Sequence, residues 1–302
     1  MLGKSIDLHM HSYYSDDGEF SPEELVEKCS GSGIKVMAIA DHNSVRANAG
    51  AKKAANLAGI TYIPAVEIDC TFQDVNLHVL GYGINYESAD FAGIEENIAR
   101  QGRAASAKML ESTRNLGFCV TKEEMEEAAK DCFWKDSWTG EMFGEVLLNK
   151  PEYENHPLLQ PYRPGGTRSD NPLVNFYWDF YSQGKPCYVK VEYPDLEQIT
   201  GIIHRNGGFA VLAHPGVNLK GRDELLKPIL DTGIDGIEAF SSYHSREQSS
   251  RFCSEADKNR IFFTCGSDYH GKTKPSIQVG GHGCTVSDEE MLWQLERILT
   301  AL

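Results

Sequence analysis

The 302-residue sequence contains no pair of cysteines separated by two residues, although eight cysteines are spread from Cys29 to Cys284. Zinc ribbons and small disulfide scaffolds are therefore not indicated, and we expect reduced, mostly buried thiols. Long apolar runs are also lacking, and the first residues lead directly into a strand without the basic and apolar regions of a leader. We therefore expect a cytoplasmic protein that makes no contact with a membrane.

Positive charge is scarce, with 29 lysines and arginines against 44 aspartates and glutamates and a formal net charge of −15. Stable binding of duplex nucleic acid needs a basic surface that neutralises phosphates, so this composition argues against it. An anionic substrate would need local positive charge. Bound metal ions can supply that charge inside an acidic protein.

Strands and helices alternate in two parts of the sequence, one at each end. The sequence has no internal repeat. Residues 1–85 alternate strands at 6–11, 36–41, 62–69 and 77–84 with helices at 21–32 and 43–58. The first helix has a clear start signal, Ser21-Pro22-Glu23-Glu24. The alternation returns with strands at 209–214, 236–240 and 261–268 and helices at 195–206, 222–232, 245–258 and 287–302. This rhythm predicts a parallel α/β sheet or barrel built from 1–85 and 191–302.

Residues 86–190 lose the alternation and predict helices at 89–116, 122–130, 141–149 and 171–183. A loop rich in proline and glycine, 151–172, lies between the last two of these helices. We interpret 86–190 as a helical cap inserted into the barrel.

His9 and His11 lie two positions apart on the first predicted strand, so both side chains point to one face. Two imidazoles at this spacing can bind one metal ion, and a pair of hydrogen-bonded structural histidines is the alternative. Polar residues of the kinds that bind metals recur at the ends of other predicted strands. They are Asp16, Asp41, His42, Glu67, His78, His214, Glu238, Asp268 and His270. Active sites of α/β barrels lie at the C-terminal ends of the strands, so these residues favour a metal centre at that face of the barrel.

The succession DLHMHS, SDDG, ADHNS, VEID, HVLGYGI, VLAHPG and GSDYH resembles the polymerase and histidinol phosphatase (PHP) family of metal-dependent phosphoesterases. The resemblance covers residues 5–85 and 195–283. It implies a distorted (β/α)7 barrel, similar to a TIM barrel, with two or three divalent ions of manganese, iron or zinc. A small anionic phosphoester is the implied substrate.

The ligand sets that the resemblance implies share Glu67 as a bridge. One ion would be held by His9, His11, Glu67 and Asp268, and a second by Glu67, His78 and His214. A third ion would be held by Asp16, His42 and His270. Imidazole and carboxylate ligands suit all three metals. We expect Asp41 to accept a hydrogen bond from a metal-bound imidazole.

The implied reaction is attack on phosphorus by a metal-activated water, which needs no side-chain nucleophile. The sequence has no Gly-x-Ser-x-Gly motif, so we expect hydrogen-bonding roles for Ser12 and Ser267. His244 either contacts the phosphate, protonates the leaving oxygen, or is a loop histidine without a role in the reaction. His204 lies inside a helix, where we expect a structural role.

The inserted cap is similar to that of the branch that acts on nucleotide 3′,5′-bisphosphates or short oligonucleotides. That branch has an Arg-Pro-His run at the start of a cap helix, where this sequence has Thr139-Gly140-Glu141. The candidate cations in place of the missing arginine are Lys135, Arg163 and Arg168. Stacking of Phe133, Trp134 or Trp138 on a base competes with a role in the core of the cap.

Two other functions stay open at this point. One is hydrolysis of histidinol phosphate or another small phosphomonoester at the same metal centre. The other is a metal-binding module that has lost turnover and serves a partner complex. The complete ligand set favours an enzyme, and metal-dependent hydrolysis of a generic aryl phosphate distinguishes the two classes.

Overall fold

A computed structural model describes residues 4–302, and its N-terminal part is a small parallel sheet flanked by two helices. Strands β1 (Ile6–Asp7), β2 (Val36–Met37) and β3 (Thr61–Tyr62) pair in this order. Helix α1 (Pro22–Gly31) follows β1, and its predicted start is confirmed, because Ser21 and Glu24 form a capping box. Helix α2 (Ala47–Ala58) follows β2.

The second sheet has five strands in the order β4 to β8. They are β4 (Ala65–Phe72), β5 (Val75–Tyr82), β6 (Phe209–Leu212), β7 (Gly236–Ser241) and β8 (Phe262–Gly266). Strand β5 runs antiparallel to both of its neighbours, whereas β6, β7 and β8 are parallel. A two-residue turn joins β4 to β5, with Gln73 at a φ of 55°. The prediction of a purely parallel sheet is therefore wrong at this hairpin.

Backbone contacts join the two sheets at both sides. Met10 forms a parallel bridge with Tyr269 beyond β1 and β8, and His42 forms one with Glu67 on β4. The predicted distorted (β/α)7 barrel is confirmed only as a mixed α/β fold, because the strands pair as two separate sheets. Only two residues of each strand pair in the first sheet, so the residues after β1 and β2 lie outside its regular hydrogen-bonding pattern.

Four helices occupy residues 86–190. They are α3 (Ala89–Asn115), α4 (Lys122–Ala128), α5 (Gly140–Leu148) and α6 (Pro172–Phe180). These helices pack around a hydrophobic cluster of their own, which includes Phe118, Phe143 and Phe176. We call residues 86–190 the helical segment.

The remaining helices follow the strands of the second sheet. They are α7 (Leu196–Arg205), α8 (Pro215–Asn218), α9 (Leu226–Leu230), α10 (Arg246–Asn259), α11 (Asp288–Gln294) and α12 (Glu296–Leu299). The predicted helix at 287–302 is thus interrupted at Leu295, which has a ψ of 0°. Within the described residues 4–302, none of the helices combines the length and the apolar character needed to cross a membrane.

The cysteines are free thiols, and five of the eight are buried, as the sequence predicts. Cys265, His282 and Cys284 form one buried group. His282 donates from Nε2 to the carbonyl of Ile6 at 2.8 Å and accepts the Cys284 amide at Nδ1 at 3.2 Å. Because the backbone engages both ring nitrogens, this group stabilises the core around β1 and β8.

Candidate metal centre

His9 and His11 lie beyond the end of β1, where backbone hydrogen bonds to the residues after β8 hold them. The amide of Asp268 donates to the His9 carbonyl at 2.7 Å, and the amide of His11 donates to Tyr269 at 2.9 Å. Both imidazoles are fully buried, with ring centroids 5.1 Å apart. The segments that follow β1 and β8 therefore bring both histidines close to Asp268.

The first ligand group contains His9, His11, Glu67 and Asp268. Glu67 Oε2 lies 3.0 Å from His9 Nε2 and 3.2 Å from His11 Nε2. Asp268 Oδ1 lies 3.1 Å from the same nitrogen of His11. All four side chains are buried, so their donor atoms converge away from bulk water.

A second group uses the other oxygen of Glu67. Oε1 lies 2.9 Å from Nδ1 of His78 and 2.9 Å from Nε2 of His214. His78 also contacts Asp69, which the sequence analysis missed, at 3.0 Å through Nε2. Asp69 joins His42 and His78 in a further group. It lies two positions after Glu67 on β4, so alternation along the strand was the available signal.

The third group contains His11, Asp17, His42 and His270, and here the structure corrects the ligand set. Asp17, not Asp16, lies among the imidazoles, with Oδ2 3.1 Å from His270 Nε2. Ser15 donates its hydroxyl to Asp17 Oδ1 at 3.0 Å, which turns that carboxylate inward. Asp16 lines the cavity beside the group. Burial and the charges of Asp17 and Asp69 raise the pKa of Asp16 to about 7.

Two buried nitrogens test whether this arrangement suits a cation. Among residues 4–302, His42 Nδ1 and His270 Nε2 have no hydrogen-bond partner. Each nevertheless faces a carboxylate oxygen, at 3.4 Å from Glu67 and 3.1 Å from Asp17 respectively. A buried polar atom without a partner costs about 1–3 kcal/mol. Each nitrogen lies near a carboxylate oxygen but does not form a hydrogen bond with it. This arrangement fits a site in which a metal ion binds the nitrogen and the oxygen together.

The protonation states in the groups are set by burial and by close opposite charges. Burial lowers the pKa of His270 to about 4 and lowers that of His42, so both rings are neutral and offer a lone pair. Burial opposes ionisation of Glu67 and Asp268. The charges around them outweigh burial and hold the pKa of both carboxyls well below the usual range, chiefly through His9 for Glu67 and Lys274 for Asp268. Neutral imidazoles and ionised carboxylates are the forms that bind transition metals. His42 and His270 already have that form, whereas His9, His11 and His78, whose pKa the nearby carboxylates raise despite burial, would release a proton when a metal binds.

A second layer of polar residues orients the imidazoles. His9 Nδ1 contacts Glu238 Oε1 at 2.8 Å, and His214 Nδ1 contacts Asn218 Oδ1 at 2.6 Å. Such partners fix the tautomer that turns the other nitrogen to a metal. The expectation for Asp41 is wrong: its carboxylate accepts from the amide and hydroxyl of Ser12 at 2.5 and 2.6 Å. Ser12 is thereby a hydrogen-bonding residue, as expected.

The backbone is in the left-handed region at two of the predicted ligands. Asp268 has a φ of 57° and His214 a φ of 22°. Left-handed backbone is unfavourable for residues with a side chain and is found most often at functional sites. From these two positions His214 contacts Glu67 and Asp268 contacts His11.

Lys274 is a buried cation at the centre that sequence reasoning missed. Its Nζ donates to Asp268 Oδ2 and lies 4.8 Å from the ring centroid of Tyr243. The lysine lines the cavity above the ligand groups and is 4% exposed. Burial disfavours its charge, but Asp268 outweighs burial and raises the pKa of Lys274, so it stays charged. Lys272 lies two positions away on the same loop, so sequence alone did not single Lys274 out.

A cavity of about 230 Å³ opens over the three groups. Its floor carries Asp17, His42, His78, His214, Asp268 and His270. The opposite wall comes from the helical segment and is aromatic, formed by Trp134, Trp138, Tyr177, Trp178 and Tyr181. Phe133, the third aromatic residue considered for stacking, instead packs edge-on against Tyr14 with a centroid distance of 5.0 Å.

His244 does not take the role proposed from sequence. Its Nδ1 donates to the Ala239 carbonyl at 3.0 Å, and its Nε2 accepts the Gly216 amide at 3.1 Å. With both nitrogens engaged by backbone, His244 connects β7 to the turn after β6. His204 contacts Asp235 Oδ2 at 2.7 Å and has the structural role expected of it.

Arg163 and Arg168 are also placed away from the cavity. Arg163 donates to the carbonyls of Leu148 and Tyr153 at 3.1 and 3.0 Å. Arg168 makes two hydrogen bonds of 3.0 Å with the carboxylate of Asp179. Partners within the helical segment thus engage both guanidinium groups, although Nε of Arg163 has no hydrogen-bond partner among residues 4–302. Lys135 is an exposed side chain of the same segment. None of the three cations lines the cavity, which argues against their predicted contact with an anionic part of the substrate.

Comparisons with known proteins identify the relatives of this chain. The family model of the PHP domain matches residues 7–164. The chain is 30% identical over 287 residues to the 3′,5′-nucleoside bisphosphate phosphatase of Chromobacterium violaceum, covering 91% of this chain and 90% of that protein. It is 27% identical over 272 residues to a 5′-3′ exoribonuclease of Haemophilus influenzae, covering 89% and 91% of the two chains.

A solved structure shares the whole architecture. An amidohydrolase from Chromobacterium violaceum, determined with bound sulfate and no metal, superposes with a TM-score of 0.76 at 25% identity. The superposition covers 96% of each chain. Both sheets and the helical segment therefore have counterparts in one known fold.

Proposed function

The chain belongs to the PHP domain family, and on this premise we propose that it is a metal-dependent phosphoesterase acting on a nucleotide or a short oligonucleotide. The reaction is hydrolysis of a phosphomonoester or of a terminal phosphodiester. A bisphosphate phosphatase and an exoribonuclease among its relatives support this substrate class.

One observation carries the proposal. Glu67 presents one oxygen to His9 and His11 and the other to His78 and His214, at distances of 2.9 to 3.2 Å. A carboxylate with imidazoles at both oxygens is suited to bridge two cations. We propose three divalent ions in all, of manganese, iron or zinc, held by the three groups that meet at Glu67 and His11. When bound, such ions neutralise charge on the phosphoryl oxygens and lower the pKa of an attacking water.

The side chains of this protein supply the remaining functions. The neutral rings of His42 and His270 and the ionised carboxylates of Asp17 and Glu67 hold the cations. Glu238 and Asn218 keep His9 and His214 in the tautomer that donates to the second layer. Lys274 holds Asp268 in place from the cavity side, where its ammonium group also faces an incoming phosphoryl group.

The family premise also supports an architecture. We propose that the two sheets, from residues 1–85 and 191–302, correspond to one distorted (β/α)7 barrel that the bridges at Met10 and His42 bring together. The helical segment 86–190 is then an inserted cap that closes the cavity over the ligands.

Release of phosphate from phosphomonoesters and of nucleotides from RNA tests the proposed function. The protein, expressed with manganese, iron or zinc supplied, is given adenosine 3′,5′-bisphosphate, short RNAs, histidinol phosphate and sugar phosphates. We expect turnover that a chelator abolishes and that is fastest on the nucleotide substrates. If the metal-loaded protein releases neither phosphate from the phosphomonoesters nor nucleotides from the short RNAs, the proposal is contradicted.

A further inference from the structure

The cavity has two chemically different sides. Its floor carries the ligand groups, and its outer wall carries aromatic side chains and the carboxylates of Glu95 and Glu141. Glu95 is paired with Arg46, whose Nη2 lies 2.6 Å from Oε1. Glu141 lies at the start of α5, is 8% exposed, and has no ion-pair partner among residues 4–302.

Cations are missing from the outer wall. Apart from histidines, Lys274 is the one basic residue that lines the cavity in the described part of the chain, and it is held by Asp268 on the floor. Arg163 and Arg168 are engaged inside the helical segment. A second phosphate placed against this wall would meet the buried Glu141 carboxyl, whose pKa burial raises to about 8, and no positive charge that offsets its own, which disfavours it.

Trp138 supplies an independent observation on the same wall. It is 7% exposed, and in residues 4–302 its indole nitrogen Nε1 finds no hydrogen-bond partner. Buried donors in folded proteins are nearly always paired, so an unpaired one requires an explanation. A ligand atom that accepts this hydrogen bond would provide it. The wall thus offers the indole N–H of Trp138 as a donor and the carboxyl of Glu141 as an acceptor among flat aromatic rings.

We propose that this outer wall binds the nucleobase of the substrate and leaves a second phosphate without a binding site. Glu141 accepts a hydrogen bond from an amino or ring N–H group, and Trp138 donates to a ring nitrogen or carbonyl. Tyr177 and Trp178 supply stacking surfaces, which bind any base because every base has a π-face. The inference rests on the proposed function, since the base must belong to the phosphoester that the metal centre cleaves.

The first test compares substrates that differ by one group. Adenosine 3′-monophosphate and adenosine 3′,5′-bisphosphate differ only in the second phosphate. A site built to bind a charged group discriminates by orders of magnitude against a substrate that lacks the group. Because this wall has no such site, we expect the kcat/KM values of the two nucleotides to differ by less than about fivefold. Glycerol 2-phosphate, which lacks a base, should be roughly tenfold to a hundredfold poorer than the monophosphate. A bisphosphate preference above fivefold would overturn the proposal.

The second test uses variants with matched controls. Glu141→Gln and Trp138→Phe should each lower the kcat/KM ratio of adenosine 3′-monophosphate to glycerol 2-phosphate by about fivefold to tenfold, since each removes one hydrogen bond to the base. Glu123→Gln and Trp293→Phe change the same residue types at exposed positions on α4 and α11 and should leave the ratio unchanged. An unchanged ratio in both test variants contradicts the proposal.

Binding of adenosine, which has no phosphate, separates this inference from the proposed function. Calorimetry on the metal-free protein should detect adenosine binding that weakens in Glu141→Gln and in Trp138→Phe. If the metal-loaded protein hydrolyses none of the phosphoesters, the proposed function fails while adenosine binding still tests the base site. If turnover is normal and adenosine does not bind, the base site alone is refuted.

Discussion

Glu67 Oε1 lies 2.9 Å from Nε2 of His214, although 147 positions separate the two residues in sequence. The strand β4 and the end of β6 therefore meet at one carboxylate, whose other oxygen contacts His9 and His11. This sharing makes Glu67 the residue on which the largest number of predicted metal ligands depends.

Metal content should depend on that carboxylate. We expect purified protein to carry more than one equivalent of transition metal, because the donor atoms exceed what one four- to six-coordinate ion uses. Glu67→Gln should lower the stoichiometry by at least about one equivalent, since the amide cannot bridge two cations. Elemental analysis after metal-supplemented expression measures both, and a reproducible zero for the unmodified protein would refute the metal centre.

Asp268→Asn should abolish turnover without unfolding the protein. The amide removes a negative charge that contacts His11 at 3.1 Å, and asparagine tolerates the left-handed backbone at this position. We expect a fall in kcat beyond the roughly 10- to 100-fold typical of losing a residue that only orients a metal ligand. His204→Ala is the control and should keep its rate. If both variants lose turnover equally while their circular dichroism spectra match that of the unmodified protein, the site is misassigned.

Asp16 and Asp17 provide a matched pair at adjacent positions. Asp17 contacts His270, whereas Asp16 lines the cavity. Asp17→Asn should therefore lower metal affinity and turnover by more than the roughly 10- to 100-fold of a residue that only orients a ligand, and Asp16→Asn should have the smaller effect on affinity. Metal titration followed by calorimetry distinguishes them, and the reverse order would restore Asp16 as the ligand.

Arg168→Ala should act on stability and not on substrate choice. Its hydrogen bonds to Asp179 are half-exposed, so their loss should cost about 0.5–1 kcal/mol in the free energy of unfolding. We expect a lower melting temperature and equal changes in kcat/KM for adenosine 3′,5′-bisphosphate and for a small aryl phosphate. A selective loss on the bisphosphate would return this arginine to the substrate site.

The contact between α3 and α7 should respond to acid. Hydrogen bonds from Arg205 and Asn206 lower the pKa of Asp90 to about 2 in the folded protein, against about 3.9 when unfolded. A depressed folded pKa stabilises the protein above about pH 4, and this contribution is lost as the pH falls through about 2. Urea unfolding between pH 5 and pH 2 should therefore show a smaller loss of stability in Asp90→Asn. Asp257→Asn, at an exposed carboxylate on α10, should behave like the unmodified protein.

The sequence pattern singled out most of the candidate ligands that the structure brings together, because strand ends concentrate them. His9 and His11 share a face through two-residue spacing, and the ends of parallel strands share an edge, so pattern alone grouped residues far apart in sequence. The choice between Asp16 and Asp17 depends on a hydroxyl contact from Ser15 within a loop, which no periodicity encodes. Lys274 lies on a loop that packs back against Asp268, and only tertiary structure reveals that return.

The errors in the fold and in the cap have a common cause. The hairpin from β4 to β5 was predicted as two parallel strands because its two-residue turn, Gln73-Asp74, lacks glycine. Arg163 and Arg168 were assigned to the substrate because their partners, two carbonyls and Asp179, leave no mark in the local sequence. Residue propensities reflect neighbours along the sequence. The hairpin and the contacts of the two arginines depend instead on how elements pack against one another in the folded protein.

The left-handed backbone at Asp268 and His214 affects how this protein would respond to selection for thermal resistance. Each conformation costs on the order of 1–3 kcal/mol for a residue with a side chain, and glycine would adopt it freely. A library screened only for survival on heating would accumulate glycine at these two positions while losing the ligands that they carry. Screens for robustness should therefore hold both codons fixed, since the gain in heat resistance there comes at the expense of the chemistry.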